Sequence, residues 1–540
     1  MAKETSDRSI AGGDILDAVI VGAGITGIYQ LHRLRELGMR VRILEAGDGV
    51  GGTWFWNRYP GCRFDSESYS YGYFFSKLLR DEWAWSEEFA GQPETERYLN
   101  FAVDRLDLRP FIELNARVVS AEYEATTGTY IVSTADGRAF RARFLITAVG
   151  ILSAPVFPAA PGLETFAGEW HHTARWPRRE VDFRGKRVAV VGTGSSGVQI
   201  IPFVAQEAAH LTVFQRTANW CTPLNNAPIT PEKMTWVREN FELIHQRCLS
   251  TPGGFIHRPR TEGAMEVDRA EREIYLESLY QRPGLTLLLN NFRDISTNRE
   301  SNEVVTDFIA RKIRSRVDDP RVAQMLTPDD HTFGMKRPPL ENGYYEVFNQ
   351  ENVDLVSLKD EPIERFTPTG IRTAHRELPF DVIVLATGFE AATGSLLRMD
   401  IRGQDGLRLT DHWTQGPLTY LGLQTPGFPN LFIVGGPQST TGNIPRSSEV
   451  EVDLVTRLLG HMASKGYAAV RASAAASNAW GEEVASTVRG TVLENARSWA
   501  FGSNIEGKPR TYLLWAGGVP GYRERCEAAF DDDYRGFEFA

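Results

Sequence analysis

Cysteine is scarce. There are four in 540 residues, Cys62, Cys221, Cys248 and Cys526, scattered and with no CxxC pair. That argues against a disulfide framework or a zinc site and fits a reducing compartment. A basic surplus is missing as well: the net charge is −10, which disfavours a nucleic-acid partner. No run of eighteen apolar residues occurs, so no membrane-spanning helix is expected. The opening stretch, MAKETSDRSIAGGDILDAVIVG, has no basic region followed by an unbroken apolar core, so no secretory signal is read. Tandem repeats and low-complexity segments are absent too. The expectation is a cytoplasmic protein with small-molecule partners, no membrane contact, and a monomeric or weakly homo-oligomeric state.

What is present is glycine in pattern. At roughly 150 residues per domain, this length suggests three or four domains, or two large ones with insertions. The apolar run from Ile15 to Val21 reads as a strand. Gly22, Gly24 and Gly27 follow it in GxGxxG spacing. A helical pattern with Ile28, Leu31, Leu34 and Leu37 comes next, stopped by Gly38, and then a strand Val41–Leu44 ends at Glu45. With 49 glycines in 540 residues, about 0.4 chance matches to such a motif are expected, so the flanking strand and helix carry the reading. The same order returns with a strand Arg187–Val191, Gly192, Gly194 and Gly197, a helix from about Val198 to Ala209, and a strand Leu211–Phe214. Two further strands, in Phe144–Gly150 and Asp381–Phe389, end in similar glycine turns.

Each unit has the chemistry of a dinucleotide site. The first glycine permits the turn, the second admits the pyrophosphate, and the third lets helix and strand pack, with phosphate at the positive helix end. Glu45 is placed to accept hydrogen bonds from ribose hydroxyls, which suits FAD. At the corresponding place the second unit has Gln215-Arg216-Thr217. A carboxylate there would repel a 2′-phosphate and Arg216 can pair with it, so NADPH is preferred over NADH. Two nucleotide sites of different polarity suggest hydride passing from nicotinamide to flavin.

The predicted fold is α/β, with two Rossmann-like dinucleotide-binding domains and a helical insert in the NADP domain. Residues 1–14 read as a disordered tail. The FAD domain takes 15–150 and 389–540, the NADP domain 151–223 and 333–388, and the insert 224–332. Within the insert Thr230-Pro231 reads as a helix start, and 301–316 and 320–326 read as helical. The Asp-Asp pair at 318–319 and the Asp triplet at 531–533 read as solvated turns, and no metal site is expected.

Residues 162–177, GLETFAGEWHHTARWP, place Phe166, Gly168, His172, Trp176 and Pro177 in the spacing FxGxxxHxxxWP just before the second glycine loop. This resembles the fingerprint of Baeyer–Villiger monooxygenases. GGTWFWNRYPG (51–61), Asp65 with DSES, Lys336-Arg337, ATGF (386–389), PGFPNLF (426–432) and WAFGSN (499–504) resemble phenylacetone and cyclohexanone monooxygenases in the same order. The likeness spans nearly the whole chain.

The resemblance implies an NADPH- and O2-dependent flavoprotein that inserts one oxygen beside a ketone carbonyl through a C4a-peroxyflavin, giving an ester or lactone, with sulfoxidation as a side activity. It makes Arg337 the active-site cation and Asp65 the acid that orients it. It places Thr26, Gly52, Thr53, Trp54, Asp65, Tyr71, Val118 and Ile444 at FAD beside Gly22, Gly24, Gly27 and Glu45, with Trp56 also near the flavin. At NADP it places Arg63, Asp65, Thr193, Ser195, Ser196, Gln199, Thr217, Lys336, Arg337 and Trp499 beside Gly192, Gly194, Gly197 and Arg216. Lys336 would join Arg216 and Thr217 at the 2′-phosphate, and Trp499 would cover the nucleotide from a mobile loop. His172, in a segment joining two domains, is expected to hold structure and not to transfer a proton.

Two segments depart from one relative or the other. Between Pro437 and Pro445 the chain reads QSTTGNI, short like the cyclohexanone type and without the bulge of the phenylacetone type. Ser250-Thr251-Pro252-Gly253-Gly254 is closer to the phenylacetone type. Cyclic, aryl and long aliphatic ketones all stay open as substrates. The competing readings are an N-hydroxylating flavin monooxygenase and a non-catalytic NADPH sensor.

Overall fold

Two largely parallel sheets organise the computed structural model, which describes residues 15–540; the tail read at 1–14 lies outside the described residues. In the first sheet, Leu16–Val21 lies between Val41–Leu44 and Ala139–Thr147, parallel to both. The chain returns to this sheet late, with Asp400–Arg402 pairing Val118–Glu124 and Leu431–Ile433 pairing Ala139–Thr147. In the second sheet the order is Val353–Ser357, His210–Gln215, Arg187–Val191, Val382–Leu385 and Glu169–His172, all parallel.

Period-two alternation explains why both sheets are buried on both faces. Ala18 and Ile20 point into the main core, and Val19 and Val21 point to a second core on the opposite face. Val188 and Val190 likewise join the main core, while Ala189 and Val191 pack with Phe166, Phe214, Phe366 and Phe380. Each such Val or Ile contributes about 1.5–3 kcal/mol by leaving water.

Helix limits differ from the sequence reading in instructive ways. The first helix runs Ile25–Glu36, and Leu37 caps it at 45% exposure instead of joining the core. A spacing of three loses about 60° of helix rotation per step, so the fourth residue of such a series has left the buried face. The second runs Ser195–Glu207, starting three residues before Val198, because the glycine loop itself forms the first turn. The region 224–332 holds helices Pro231–Glu239, Phe241–Leu249, Arg269–Tyr280, Arg299–Arg314 and Pro320–Leu326, among others. Thr230 caps the first, accepting from the Lys233 N–H, and Asp319 caps the last, accepting from the Arg321 N–H. Asn298 caps Arg299–Arg314, which moves that helix two residues ahead of the start read at Ser301.

The late helix Ile444–Lys465 packs on Ile25–Glu36, with Ser448 against Thr26 and Asp453 against Tyr29. It carries Glu451, fully buried, which accepts from the Gly435 N–H at 2.6 Å while Oε1 has no partner. Burial pushes this carboxyl up to about 8. Between the ordinary value of 4.5 and about 8 the folded chain therefore binds this proton more tightly than the unfolded chain. Stability from this group falls as pH rises through that window, by up to about 1.4 kcal/mol per pH unit. Glu451→Gln is expected to flatten that decline; melting temperatures measured from mildly acidic to mildly alkaline pH check it, and parallel curves for both proteins would refute it.

Candidate cofactor and active site

The two glycine loops share one geometry. A Cβ on Gly22 would lie 2.7 Å from the Ala148 carbonyl oxygen, and one on Gly192 would lie 2.4 Å from that of Ala386. Ala148 and Ala386 open the glycine turns that end Ala139–Thr147 and Val382–Leu385. Each loop is thus pressed onto the strand that returns beside it, with φ of 104° and 110° at the two glycines. At the third motif position, a Cβ on Gly27 or Gly197 would sit 2.0 or 2.1 Å from the carbonyl oxygen of Gly22 or Gly192.

The helices that follow have no side-chain cap at Gly24 or Gly194 and no acid in the first turn. Several other helices of the chain are capped by side chains. Uncapped N–H groups at a positive helix end fit a diphosphate. The space beside Gly194 is open, whereas Gly24 faces Gly52 at 3.5 Å. The Gly51 N–H also donates to the Ala23 carbonyl, so GGTW lies over the first loop. Thr53 is exposed beside it and Trp54 is buried, donating to the Tyr71 hydroxyl at 3.1 Å. Tyr71 in turn stacks on Phe64.

Glu45 is buried and accepts from the N–H groups of Ala23 and Gly47 at 2.7 and 2.8 Å. Its carboxylate is therefore fixed by the loop and keeps further lone pairs able to accept hydrogen bonds. Burial raises its pKa. Val118 is buried at the start of its strand, and Ile444 is the first residue of its helix.

In the second unit Arg216 is exposed at the end of His210–Gln215 and makes no ion pair among the described residues. The Thr193 hydroxyl donates to the Thr217 carbonyl, fastening loop to strand. Lys336 lies near enough to Arg216 and Lys359 for both to help lower its pKa, though burial is the main cause. Its ammonium also lies 3.5 Å from Asp330. Arg216, which has no ion pair among the described residues, and Lys336, whose ammonium is only partly balanced by Asp330, form a cationic patch that fits a phosphate. Ser195 is exposed at the helix start, and Ser196 is half-buried near Tyr59.

The domains meet beside the first loop. The Tyr59 hydroxyl donates to Gln199 at 2.7 Å, and the Gln199 amide donates to the Arg63 carbonyl at 3.0 Å. Arg63 itself pairs with Glu87. Two residues on, Asp65 accepts two bonds from Arg337, Nε at 3.0 Å and Nη2 at 2.7 Å. These residues are 272 apart in the chain. The bidentate grip fixes the guanidinium plane and leaves Nη1 without a hydrogen bond among the described residues. The guanidinium rests over the Phe255 ring at 5.7 Å.

Trp499 is not part of this cluster. It opens a short turn, Trp499–Phe501, half-buried against the main core, and no hydrogen bond or ring contact joins it to Asp65 or Arg337. Asn504 and Lys508 fasten the following loop to Phe389, Glu390 and Thr393.

The fingerprint lies across the joint between domains. Phe166 and Gly168 pack at the second sheet, where a Cβ on Gly168 would meet the Asp381 carbonyl at 2.5 Å. His172 is buried, and its Nδ1 accepts from the Ala174 N–H. Its Nε2 faces the Val156 carbonyl and the Thr387 hydroxyl, each at 3.2 Å. Burial pushes the ring down to about 4, so it is neutral at ordinary pH. The Trp176 backbone N–H donates to the Trp56 carbonyl, tying the fingerprint to GGTWFW. Trp176 and Pro177 also line an open cleft of about 570 Å³ with Arg58, Arg97 and Phe203. Neither Asp65 nor Arg337 borders that cleft, so we do not assign the reaction to it.

Tyr59, Phe255 and Arg446 escaped sequence reading. Arg446 is 2% exposed, donates to the Gly72 carbonyl at 2.6 Å and lies over Phe74 at 3.3 Å. An arginine in the first turn of a helix ordinarily reads as solvated, and no local signal marks this one.

Two dinucleotide folds joined beside a bidentate carboxylate–guanidinium pair define a two-nucleotide oxidoreductase. A family model for pyridine nucleotide-disulphide oxidoreductases matches residues 19–247. The 2-oxo-Δ3-4,5,5-trimethylcyclopentenylacetyl-CoA monooxygenase of Pseudomonas putida is 46% identical, over 97% of this chain and 98% of the relative. A Baeyer–Villiger monooxygenase of Pseudooceanicola batsensis is 38% identical over 98% and 97%. A phenazine N-monooxygenase of Lysobacter antibioticus is 39% identical over 96% of each. Among solved structures, OTEMO in complex with FAD and NADP superposes with a TM-score of 0.95 at 46% identity, over 97% of this chain and 99% of that one. The chain belongs to the Baeyer–Villiger monooxygenases. No helix among the described residues is long and apolar enough to cross a membrane.

Proposed function

We propose that this chain is an NADPH- and O2-dependent monooxygenase that converts a ketone to an ester or lactone. The observation that carries the reading is the bidentate Asp65–Arg337 pair two residues from the Arg63–Gln199 link between domains. Gly22, Gly24, Gly27 and Glu45 would hold FAD, which would supply the acceptor for the NADPH hydride and, once reduced, the centre that activates dioxygen. Asp65 holds the guanidinium plane, and Arg337 turns its free edge toward the negative charge that develops on the ketone oxygen. A guanidinium stays protonated at every working pH, so this charge does not titrate away. Arg216, Lys336 and Thr217 hold the 2′-phosphate. His172 keeps the joint between domains in register and moves no proton.

The named activity of the Pseudomonas putida relative favours a cyclic ketone, and the phenazine relative, an N-monooxygenase, keeps oxidation at nitrogen as the second reading. Product analysis separates them. The purified flavoprotein, NADPH and air are incubated with phenylacetone, cyclohexanone, a larger cyclic ketone and a tertiary amine. Ester or lactone is the expected product, and N-oxide as the sole product would overturn the reading.

Arg216→Ala is expected to narrow the preference for NADPH over NADH. One charge-assisted bond is worth about 1.5–3 kcal/mol, or roughly 10- to 150-fold. The ratio of kcat/KM for the two coenzymes measures it, and an unchanged ratio would move the phosphate site elsewhere.

A further inference from the structure

A second ionisable pair lies beside the first and has no part in the chemistry above. Glu67 follows Asp65 by two residues and is 5% exposed. Its Oε1 lies 2.6 Å from His257 Nε2, and its Oε2 is buried without a partner. The loop that carries Glu67 is rigid: Ser68 donates its N–H to the Glu88 carbonyl, and Ser70 and Tyr71 donate theirs to the Glu67 carbonyl. His257 belongs to a strap from the other side of the site. Two residues before it is Phe255, the ring beneath Arg337. The same strap accepts from the Asn443 N–H at the Gly253 carbonyl and from the Val519 N–H at the Pro252 carbonyl. The pair therefore joins the loop that holds Asp65 to the strap on which Arg337 rests.

A buried carboxylate with one empty oxygen is costly unless a neighbouring charge balances it. Protonated His257 is placed to do so, and hydrogen bonding to Glu67 raises its pKa against the opposing effect of burial. Asn290 flanks the ring and carries no charge. The other titratable groups facing Glu67 are Tyr69 and Cys248, both raised by burial, the thiol to about 12. Neither is ionised near neutral pH, so His257 is the group that can balance Glu67.

We propose that Glu67 and His257 are positioning residues: their contact clamps the Asp65 loop to the Phe255 strap and sets the aim of Arg337 and of Arg63 and Asp65, which the resemblance places at NADP. The clamp is strongest with His257 protonated and slackens as pH rises through its titration. This rests on the oxygenase reading only for its product readout.

The test uses the FAD-loaded enzyme with NADP+ as probe, following the change that NADP+ causes in the flavin's visible absorbance from about pH 6 to about pH 9. In the wild type, Kd is expected to rise about tenfold toward alkaline pH, and ester formed per NADPH consumed to fall. Titration of the 2′-phosphate, with its pKa near 6, acts in the opposite direction and is thereby distinguished. In His257→Gln and Glu67→Gln the alkaline rise should shrink severalfold, and ester formed per NADPH consumed should no longer fall with pH. A wild type without the rise, or variants that keep it unchanged, would overturn the proposal. A wild type without the rise overturns the proposal even where a variant does not fold, and loss of charge on Lys336, which acts in the same direction, persists in both variants and is thereby separated. If the wild type makes no ester from any ketone, the reaction reading fails while the binding arm still judges the clamp.

Discussion

Arg337→Ala should give a yellow protein that NADPH still reduces but that forms almost no ester. The side chain touches none of the glycine-loop geometry that fits the two nucleotides, so flavin retention should survive. What it loses is the only guanidinium gripped bidentately by Asp65. Preorganised charge aimed at a developing oxyanion is typically worth about 10²–10³ or more in rate, and Asp65 would be left without its partner. Anaerobic mixing with NADPH reads the reduction step, and gas chromatography of an aerobic incubation reads the product. Wild-type amounts of lactone would remove the oxyanion role from Arg337.

The second large effect separates the nucleotide sites. Gly197→Ala puts a methyl group 2.1 Å from the Gly192 carbonyl oxygen, and Gly27→Ala puts one 2.0 Å from that of Gly22. Backbone faces backbone in both, so the loop must shift by the order of an ångström. Misplacement of that size costs about 10²-fold or more in rate. Gly197→Ala is expected to purify yellow yet lose at least that factor in kcat/KM for NADPH. Gly27→Ala should purify without flavin colour. The flavin-to-protein absorbance ratio and NADPH oxidation distinguish the two, and the reverse pattern would exchange the assigned nucleotides.

Local signals made the two βαβ units readable. Glycine spacing, a preceding strand and a following helix are set within about thirty residues. Beyond them sequence legibility falls with distance. Nothing local joins Asp65 to Arg337 or Glu67 to His257; only resemblance named the first pair, and nothing named the second. The antiparallel strands Val118–Glu124 and Thr129–Thr134, and the small sheet Ile363–Pro379, carry no glycine motif and were not read. Their alternation is short, and Val119, at 42% exposure, leaves one face apolar without burying it. Arg446 was invisible for the opposite reason: its burial is created by Phe74 and Gly72, more than 370 residues away.

The two segments whose sequences resemble different family types, 437–445 and 250–254, are in contact. The Asn443 N–H donates to the Gly253 carbonyl at 2.7 Å. A Cβ on Gly442 would lie 2.2 Å from that same oxygen, and one on Gly254 would lie 3.0 Å from Arg446. In this chain neither segment's backbone can shift without the other giving way. A chimaera that imports the 437–445 loop from another family member should therefore carry residues 250–254 from the same donor. Grafted alone, the loop would meet a backbone shaped for a different neighbour.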